Sequence, residues 1–308
     1  MSINCKLARR IRRSFSFLAC FALVCAHTLI AQAEQTHRDQ TKKQFLWSIQ
    51  KDGKTIYVLG SIHVLKSDYD PPPGAVESAY ETCKAVVFET DIDGASSPEM
   101  QAKMLALGLY PDGETLKDNV SEQTHELLMK KAAEVGLPAP HLERFRPWFC
   151  ALTLSVLELH RLGFREEFGL DKYFFNRCKK DGKGIKTLET IEYQFGLFAL
   201  MDNRQQEAFL TQTLKDLEVM ETLAPDMLEA WEEGDAERLN SIMQMSFEDH
   251  PDLYELLVAQ RNRRWISQIE DMMEDHNEIL VVVGAGHLVG VDNLRSIFQS
   301  KGYTVEQR

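Results

Sequence analysis

The chain has 308 residues, of which 44% are hydrophobic, and carries a formal net charge of −12. This length and apolar fraction suffice to bury one large core or two small ones. The excess of acidic residues argues against binding to nucleic acid or to anionic membranes, so we expect neither as a partner.

The first 33 residues are typical of a secretory signal peptide. Basic residues lie between positions 6 and 13, a largely apolar stretch spans positions 15 to 30, and a small-x-small sequence ends at Ala33. We predict cleavage after Ala33 and a periplasmic or secreted protein. An uncleaved anchor or a lipid attached to Cys20 is the alternative.

Removal of this segment changes the charge and the cysteine content. The segment holds five of the 35 basic residues and none of the 47 acidic ones, so 30 basic against 47 acidic residues remain, a net charge of −17. The remaining Cys83, Cys150 and Cys178 permit at most one disulfide and have no zinc-knuckle spacing. No later stretch has the roughly 20 apolar residues of a membrane-spanning helix.

Residues 44 to 64 predict a β-hairpin. Two apolar-rich runs are joined at Asp52-Gly53, a pair that readily adopts the positive φ angles of a tight turn. A short helix ending near Thr82 and the β-branched run "KAVVFETD" follow. Strand, helix and strand in this order predict an α/β sheet.

Residues 97 to 250 predict a mostly helical insertion. The segment "RPWFCALTLSVLELHRLGF" is apolar on nearly every side after Pro147, which predicts a buried helix. Within the insertion, "GKGIKTLET", residues 182 to 190, predicts a strand.

The alternating pattern returns at the end of the chain. A helix through "RRWISQIEDMM" precedes the strand "EILVVVG", a helix from Gly290 to Ser300, and the strand "YTVEQ". We therefore predict an α/β fold with a single domain over residues 34 to 308. Its mixed sheet is built from both chain ends, and the helical insertion covers one side.

Four predicted strands end in side chains that can bind metals or transfer protons. "GSIH" ends at His63 and "GAGH" ends at His287, and each follows an apolar strand. Two further strands end at Glu89 and Glu189, while Asp91 either shares the face of Glu89 or caps a helix. Because α/β sheets bind ligands at the carboxyl ends of their strands, one shared site is predicted.

Imidazole and carboxylate together form the usual ligand set of zinc, manganese, cobalt and iron. We hypothesise that His63, Glu89 and His287 hold a divalent ion (Mn, Co or Zn), with Glu89 as a ligand or as the general base for a bound water. The competing interpretation of His287 alone is a hydrogen-bonded core residue beside a glycine turn.

Other enzyme classes lack their motifs. "GAGHLVG" approaches a dinucleotide fingerprint, but its third glycine, Gly290, comes one place late and the chain ends soon after. The chain has no HExxH zinc motif, no G-x-S-x-G nucleophile elbow and no complete phosphate loop.

The two Gly-x-x-His motifs, with Arg261-Asn262 on the helix before the second, resemble the TraB/GumN family. This family includes the PrgY pheromone-shutdown proteins and the Tiki proteases, and the chain is most like a GumN-type bacterial envelope member. The likeness runs from about Phe45 to Glu306 and includes "GLDKYF" at 169 to 174 and "KTLETIEYQ" at 186 to 194. It implies a fold related to erythromycin esterases and haem-binding ChaN proteins, and for Tiki proteins a metal-dependent peptidase activity.

We hypothesise further roles for two of the residues that match the family's motifs. Glu189 would be a further metal ligand or would orient a histidine. Arg261 would stabilise a tetrahedral oxyanion or bind a substrate carboxylate, or would simply pair with Glu189 or Glu255. The residues that match the family's motif positions, and that we take as candidate catalytic residues, are His63, Glu89, Glu189, Arg261, Asn262 and His287.

The expected function is therefore a metal-dependent, peptidase-like hydrolase of the cell envelope, acting on a peptide or a small molecule. One alternative is a non-enzymatic periplasmic protein that binds haem, a metal or a peptide through the same histidines. Another is an accessory factor in surface polysaccharide or envelope assembly.

Overall fold

The computed structural model describes residues 43–69, 74–275 and 278–308. The predicted signal peptide, the cleavage site after Ala33 and the alternative lipid site at Cys20 lie outside the described residues. Within the described part of the chain, no helix has the length and apolar character needed to cross a membrane.

A six-stranded mixed sheet forms the centre of the fold, in the order β4-β3-β5-β2-β1-β6. Strands β4, β3, β5 and β2 run parallel, whereas β1 is antiparallel to both β2 and β6. The strands are β1 (Leu46–Lys51), β2 (Lys54–Ser61), β3 (Ala85–Phe88), β4 (Gly184–Thr187), β5 (Ile279–Gly284) and β6 (Thr304–Gln307).

Fourteen α-helices are found in the described residues, together with two 3₁₀ turns and a π turn. The α-helices are α1 (Ala75–Thr82), α2 (Ile92–Ala95), α3 (Pro98–Gly108), α4 (Leu116–Asn119), α5 (Glu122–Glu134), α6 (Ala139–Leu142), α7 (Pro147–Arg161), α8 (Leu170–Asp181), α9 (Ile191–Ala199), α10 (Asn203–Glu232), α11 (Ala236–Phe247), α12 (Pro251–Tyr254), α13 (Gln260–Asp275) and α14 (Leu294–Ser300). The 3₁₀ turns are Glu166–Phe168 and Ala285–Leu288, and the π turn is Glu255–Ala259.

The predicted α/β class and mixed sheet are confirmed. Strands β1 to β3 come from the amino-terminal part of the chain and β5 and β6 from the carboxyl-terminal part, while β4 comes from within the helical segment and lies at one edge. The predicted hairpin is also present, because β1 pairs with β2 up to Lys51 and Lys54. Its two turn residues, Asp52 and Gly53, have φ angles of 52° and 78°.

The apolar side chains form two clusters. The larger one surrounds the sheet and includes the fully buried Val281 and Val282 of β5. A smaller one lies among the insertion helices and includes Leu154 of α7 and Leu210 of α10. The insertion thus has a core of its own, separate from the core of the sheet.

Helix α7 is less buried than its sequence predicts. Trp148, Cys150 and Leu154 are buried, but Val156 is 41% exposed. The expectation of a buried helix holds for the face that packs against neighbouring helices of the insertion, whereas Val156 lies on a face that meets solvent. Cys150, like Cys83 and Cys178, is a buried free thiol.

The parallel strands are in a register that brings their carboxyl ends to one edge of the sheet. Ser61 at the end of β2 pairs with Gly284 at the end of β5. Phe88 at the end of β3 pairs with Val282 of β5 on one side and with Thr187 of β4 on the other. The residues that follow these four ends are therefore neighbours.

The Asp52-Gly53 turn gives a test of the hairpin. Gly53→Ala is expected to lower the free energy of unfolding by about 1 kcal/mol, because its φ of 78° is unfavourable for a residue with a Cβ. Gly196→Ala, in helix α9, is the matched control, since its Cβ would have no neighbour within 4 Å. It is expected to raise stability by up to about 1 kcal/mol. Urea unfolding of both variants makes the comparison, and changes of the same sign would contradict it.

Candidate active site

Glu89 lies at the centre of the carboxyl edge of the sheet. It follows β3 directly, and its Oε1 accepts a 2.7 Å hydrogen bond from the backbone N–H of Gly284. The same Oε1 lies 4.0 Å from Nε2 of His63 and 3.8 Å from Nε2 of His287. The two motif histidines, which follow β2 and β5, therefore both face one carboxylate.

Gly284 is required by this close approach. A Cβ at this position would lie 2.9 Å from Nε2 of His63 and 3.3 Å from Oε1 of Glu89. Any side chain would push the imidazole and the carboxylate apart. The first glycine of the second Gly-x-x-His motif thus lets the three groups meet.

His287 is buried, with only 8% of its side chain exposed. Its Nδ1 lies 2.7 Å from Oδ1 of Asn262. The amide group of Asn262 donates to the backbone carbonyl of Asp292 over 2.9 Å, so its oxygen faces the imidazole and Nδ1 carries the proton. Nε2 of His287 consequently offers its lone pair to the site, where Nη1 of Arg261 lies 3.2 Å away.

His63 is held differently and is much more exposed. Its Nδ1 lies 2.8 Å from Oδ2 of Asp171, in the first turn of α8, and 61% of its side chain is exposed. The other carboxylate oxygen of Asp171 accepts a 2.8 Å hydrogen bond from the hydroxyl of Ser61. With Nδ1 donating to Asp171, Nε2 of His63 faces Glu89.

Arg261 connects the two strand-end glutamates. Its Nη2 donates to Oε2 of Glu89 over 2.5 Å, and its Nε donates to Oε2 of Glu189 over 3.0 Å. Nη1 also donates to the carbonyl of Leu257 over 3.2 Å. The guanidinium lies 4.7 Å above the ring of Trp265, which is a cation–π contact.

The π turn directly before α13 helps to present this arginine. Its i to i+5 hydrogen bonding interrupts the regular α-helical pattern, and such turns are frequent at functional sites. Leu257 lies within the turn, and its carbonyl is the one that accepts from Arg261. The side chain is therefore fixed at its own helix as well as at the two glutamates.

Glu189 is the most enclosed acid of the group, with 2% of its side chain exposed. Its backbone N–H donates to the carbonyl of Glu89 over 2.8 Å, which continues the pairing of β3 and β4 beyond the strands. Its Oε1 has no hydrogen-bond partner among the described residues. Gln194, one turn into α9, donates to Oε2 of Glu89 over 3.0 Å.

Neighbouring charges and burial shift the pKa values of three groups. Asp171 raises the pKa of His63 to about 9, and Glu89 acts in the same direction. Burial lowers the pKa of His287 to about 3. Burial favours the protonated form of Glu89, but the charged groups of Arg261 and His63 and the N–H of Gly284 together lower its pKa well below the usual range. At neutral pH, His63 is therefore charged, His287 is neutral and Glu89 is ionised.

The structure brings the six sequence-predicted residues into one network. Asp91 is not part of it, because its side chain caps helix α2 by accepting from the N–H of Asp93. Glu255 pairs with Arg263 instead of Arg261. The six residues are His63, Glu89, Glu189, Arg261, Asn262 and His287.

Sequence reasoning missed three residues that touch this network, Ser61, Asp171 and Gln194. Asp171 lies in "GLDKYF" and Gln194 in "KTLETIEYQ", two segments that carry the family resemblance. The resemblance in these two segments was the sequence signal from which Asp171 and Gln194 could have been predicted. The contacts of Asp171 with Ser61 and His63, and of Gln194 with Glu89, each join residues more than 100 positions apart. They depend on how the insertion helices pack on the sheet.

The donor atoms are of the types that bind divalent metal ions, although they are not arranged as a complete metal site. In residues 43–69, 74–275 and 278–308, no group of three or more His, Cys, Asp or Glu side chains is positioned to hold a metal ion. Arg261 contacts both Glu89 and Nε2 of His287, and so competes for their lone pairs. A ligating His63 would also have to release its proton.

The charge of the cluster nevertheless matches such an ion. With both imidazoles neutral, the three carboxylates of Glu89, Asp171 and Glu189 and the guanidinium of Arg261 leave a net charge of −2. The nitrogen and oxygen donors nearest one another, Nε2 of His63, Nε2 of His287 and Oε1 of Glu89, are those that manganese, cobalt and zinc accept. These three residues fit a divalent cation by donor type and charge.

A family model described as "TraB/PrgY/gumN family" matches residues 45–307. The chain belongs to the TraB/PrgY/gumN family. The match spans all six strands and every residue of the network described above.

Relatives within the curated proteins are distant. The chain is 26% identical to "Uncharacterized protein YbaP" of Escherichia coli (strain K12) over 77% of this chain and 85% of that protein. The protein of the same name from Shigella flexneri matches equally. A "Metalloprotease TIKI homolog" of Amphimedon queenslandica is 24% identical over 87% of this chain, which spans 62% of that protein's length. No solved structure matches the chain significantly.

The two neighbouring arginines of α13 give a test of the network. Arg261→Gln would leave the buried carboxylates of Glu89 and Glu189 without their cation, which should cost about 3 to 5 kcal/mol of unfolding free energy. Arg263→Gln, whose partners Glu255 and Asp292 are exposed, should cost less than about 1 kcal/mol. Chemical denaturation measures both values, and equal losses would show that Arg261 does not hold the two acids.

Proposed function

We propose that this chain is a metal-dependent hydrolase of the cell envelope that acts on peptide-like substrates. Nε2 of His63, Nε2 of His287 and a carboxylate oxygen of Glu89 would hold the divalent ion, which would be manganese, cobalt or zinc. The envelope location rests on the signal-peptide pattern of the first 33 residues. The substrate class rests on the Amphimedon queenslandica relative, which is named a metalloprotease homologue.

The observation that carries the proposal is the convergence of the two imidazoles on Glu89, with separations of 4.0 and 3.8 Å. The other ring nitrogen of each imidazole, Nδ1, is hydrogen-bonded to a side chain, which is Asp171 for His63 and Asn262 for His287. Support of this kind orients Nε2 towards a metal. Two histidines that served only to pack the core would not need to present Nε2 to one carboxylate.

A divalent ion bound there would supply Lewis acidity, which polarises a substrate carbonyl. The chain's own residues would do the rest. Glu89, ionised at neutral pH, would ligate the ion or accept a proton from the attacking water. Gln194 and Gly284 hold both of its oxygens in place.

Arg261 is the candidate for stabilising negative charge on the substrate. With Nε2 of His287 among the groups that would hold the ion, the Nη1–H of Arg261, 3.2 Å from that nitrogen, would be the donor available to a substrate oxygen. Glu189 remains paired with Nε and keeps the guanidinium in position. This arrangement suits reactions that develop an oxyanion, such as amide hydrolysis.

Metal content and hydrolysis test the proposal together. Purified protein is stripped with a chelator, reloaded with Mn²⁺, Co²⁺ or Zn²⁺, analysed for bound metal, and assayed against a peptide library. We expect about one ion per chain and metal-dependent cleavage, both lost in His63→Ala and His287→Ala because each variant removes a ligand. His160→Ala is the control, since His160 pairs with Glu166 outside the network.

Wild-type protein that binds none of the three ions and cleaves nothing would overturn the proposal. Cleavage that survives removal of either histidine would overturn the assigned site. If the protein bound haem, with a Soret band lost in the same two variants and no hydrolysis, the non-enzymatic binding alternative would replace it.

A further inference from the structure

We infer that Asp171 is a positioning residue for His63, a role that rests on the proposed function of the site. Its carboxylate holds Nδ1 of His63 so that Nε2 points to Glu89 and the space beside Gly284. Without this contact the imidazole would turn away from the other donors.

The carboxylate of Asp171 is itself fixed at both oxygens. Oδ2 lies 2.8 Å from Nδ1 of His63, and Oδ1 accepts from the hydroxyl of Ser61 over 2.8 Å. Ser61 is 2% exposed at the end of β2, and the side chain of Asp171 is 15% exposed. An oriented, largely buried carboxylate therefore defines the plane and the direction of the imidazole.

The backbone that carries Asp171 is hydrogen-bonded to the first Gly-x-x-His loop. The N–H of Leu170 donates to the carbonyl of Ile62 over 3.0 Å. Leu65 and Arg165 form a two-way backbone pair, with distances of 3.1 and 2.8 Å. The segment before α8 thus follows the loop on both sides of His63, and Asp171 reaches the imidazole from a fixed position.

His63 depends on this contact more than His287 depends on Asn262. The side chain of His63 is 61% exposed, whereas that of His287 is 8% exposed and lies 4.4 Å from the ring of Trp265. Packing alone restricts His287. An exposed imidazole has free rotamers, and a hydrogen bond from one side is what selects among them.

Asp171 also lies in the first turn of α8, where any acidic residue favours the helix dipole. Asp171→Glu separates the two roles, because it keeps the negative charge at the helix start but moves the carboxylate by one methylene. Asp181→Asn, at the other end of α8, is the matched control. Asp181 accepts a 2.9 Å hydrogen bond from Tyr80, far along the helix from His63.

The first measurement needs no metal. In ¹⁵N-histidine-labelled protein, the Nδ1 resonance of His63 is assigned by its absence in His63→Gln. We expect this resonance to move towards the position of unstructured histidine in Asp171→Asn and Asp171→Glu, and to stay in place in Asp181→Asn. Thermal unfolding without metal confirms that each variant is folded.

The second measurement is the affinity for Mn²⁺. We expect Asp171→Asn and Asp171→Glu to bind the ion about tenfold or more weakly than the wild type, while Asp181→Asn binds it unchanged. An unmoved His63 resonance in folded Asp171→Asn would overturn the inference, and so would unchanged affinity in a variant whose resonance has moved. Wild-type protein that binds no ion would instead count against the proposed function, and the spectra would still decide the role of Asp171.

Discussion

The ion pair between Arg261 and Glu89 is the interaction on which the arrangement of the site depends. Parallel pairing of β3 and β4 brings Glu89 and Glu189 to adjacent strand ends, where two buried carboxylates without a cation would be unfavourable. One guanidinium contacts both carboxylates and provides that cation. Since Arg261 also contacts His287, the same cation links the acids to the second Gly-x-x-His motif.

The sequence pattern predicted the parts of the fold that depend on local chemistry. The Asp52-Gly53 hairpin follows from turn geometry, and the strands follow from apolar runs that end in glycine or acid. The burial of helix α7 could not be predicted in the same way. An apolar helix is equally consistent with burial on one side or on all sides, and only the packing partners decide that Val156 meets solvent.

The candidate site was predictable as far as strand ends define it. His63, Glu89 and His287 follow parallel strands, and so they share an edge once the strand order is known. The partner of His63 was not predictable, because Asp171 comes from the insertion and its contact depends on how α8 docks. Asp91 has the second of its two expected roles, because the chain has already turned three residues beyond β3 and its side chain caps α2.

The central claim is that two histidines and Glu89 form one metal-binding centre at the carboxyl edge of the sheet. Anomalous diffraction from a crystal of the purified protein soaked in Mn²⁺, recorded at the manganese absorption edge, tests this claim most directly. One strong anomalous peak is expected in contact with Nε2 of His63, Nε2 of His287 and a carboxylate oxygen of Glu89. A soaked crystal with no peak there, with the ion elsewhere or not bound, would contradict it.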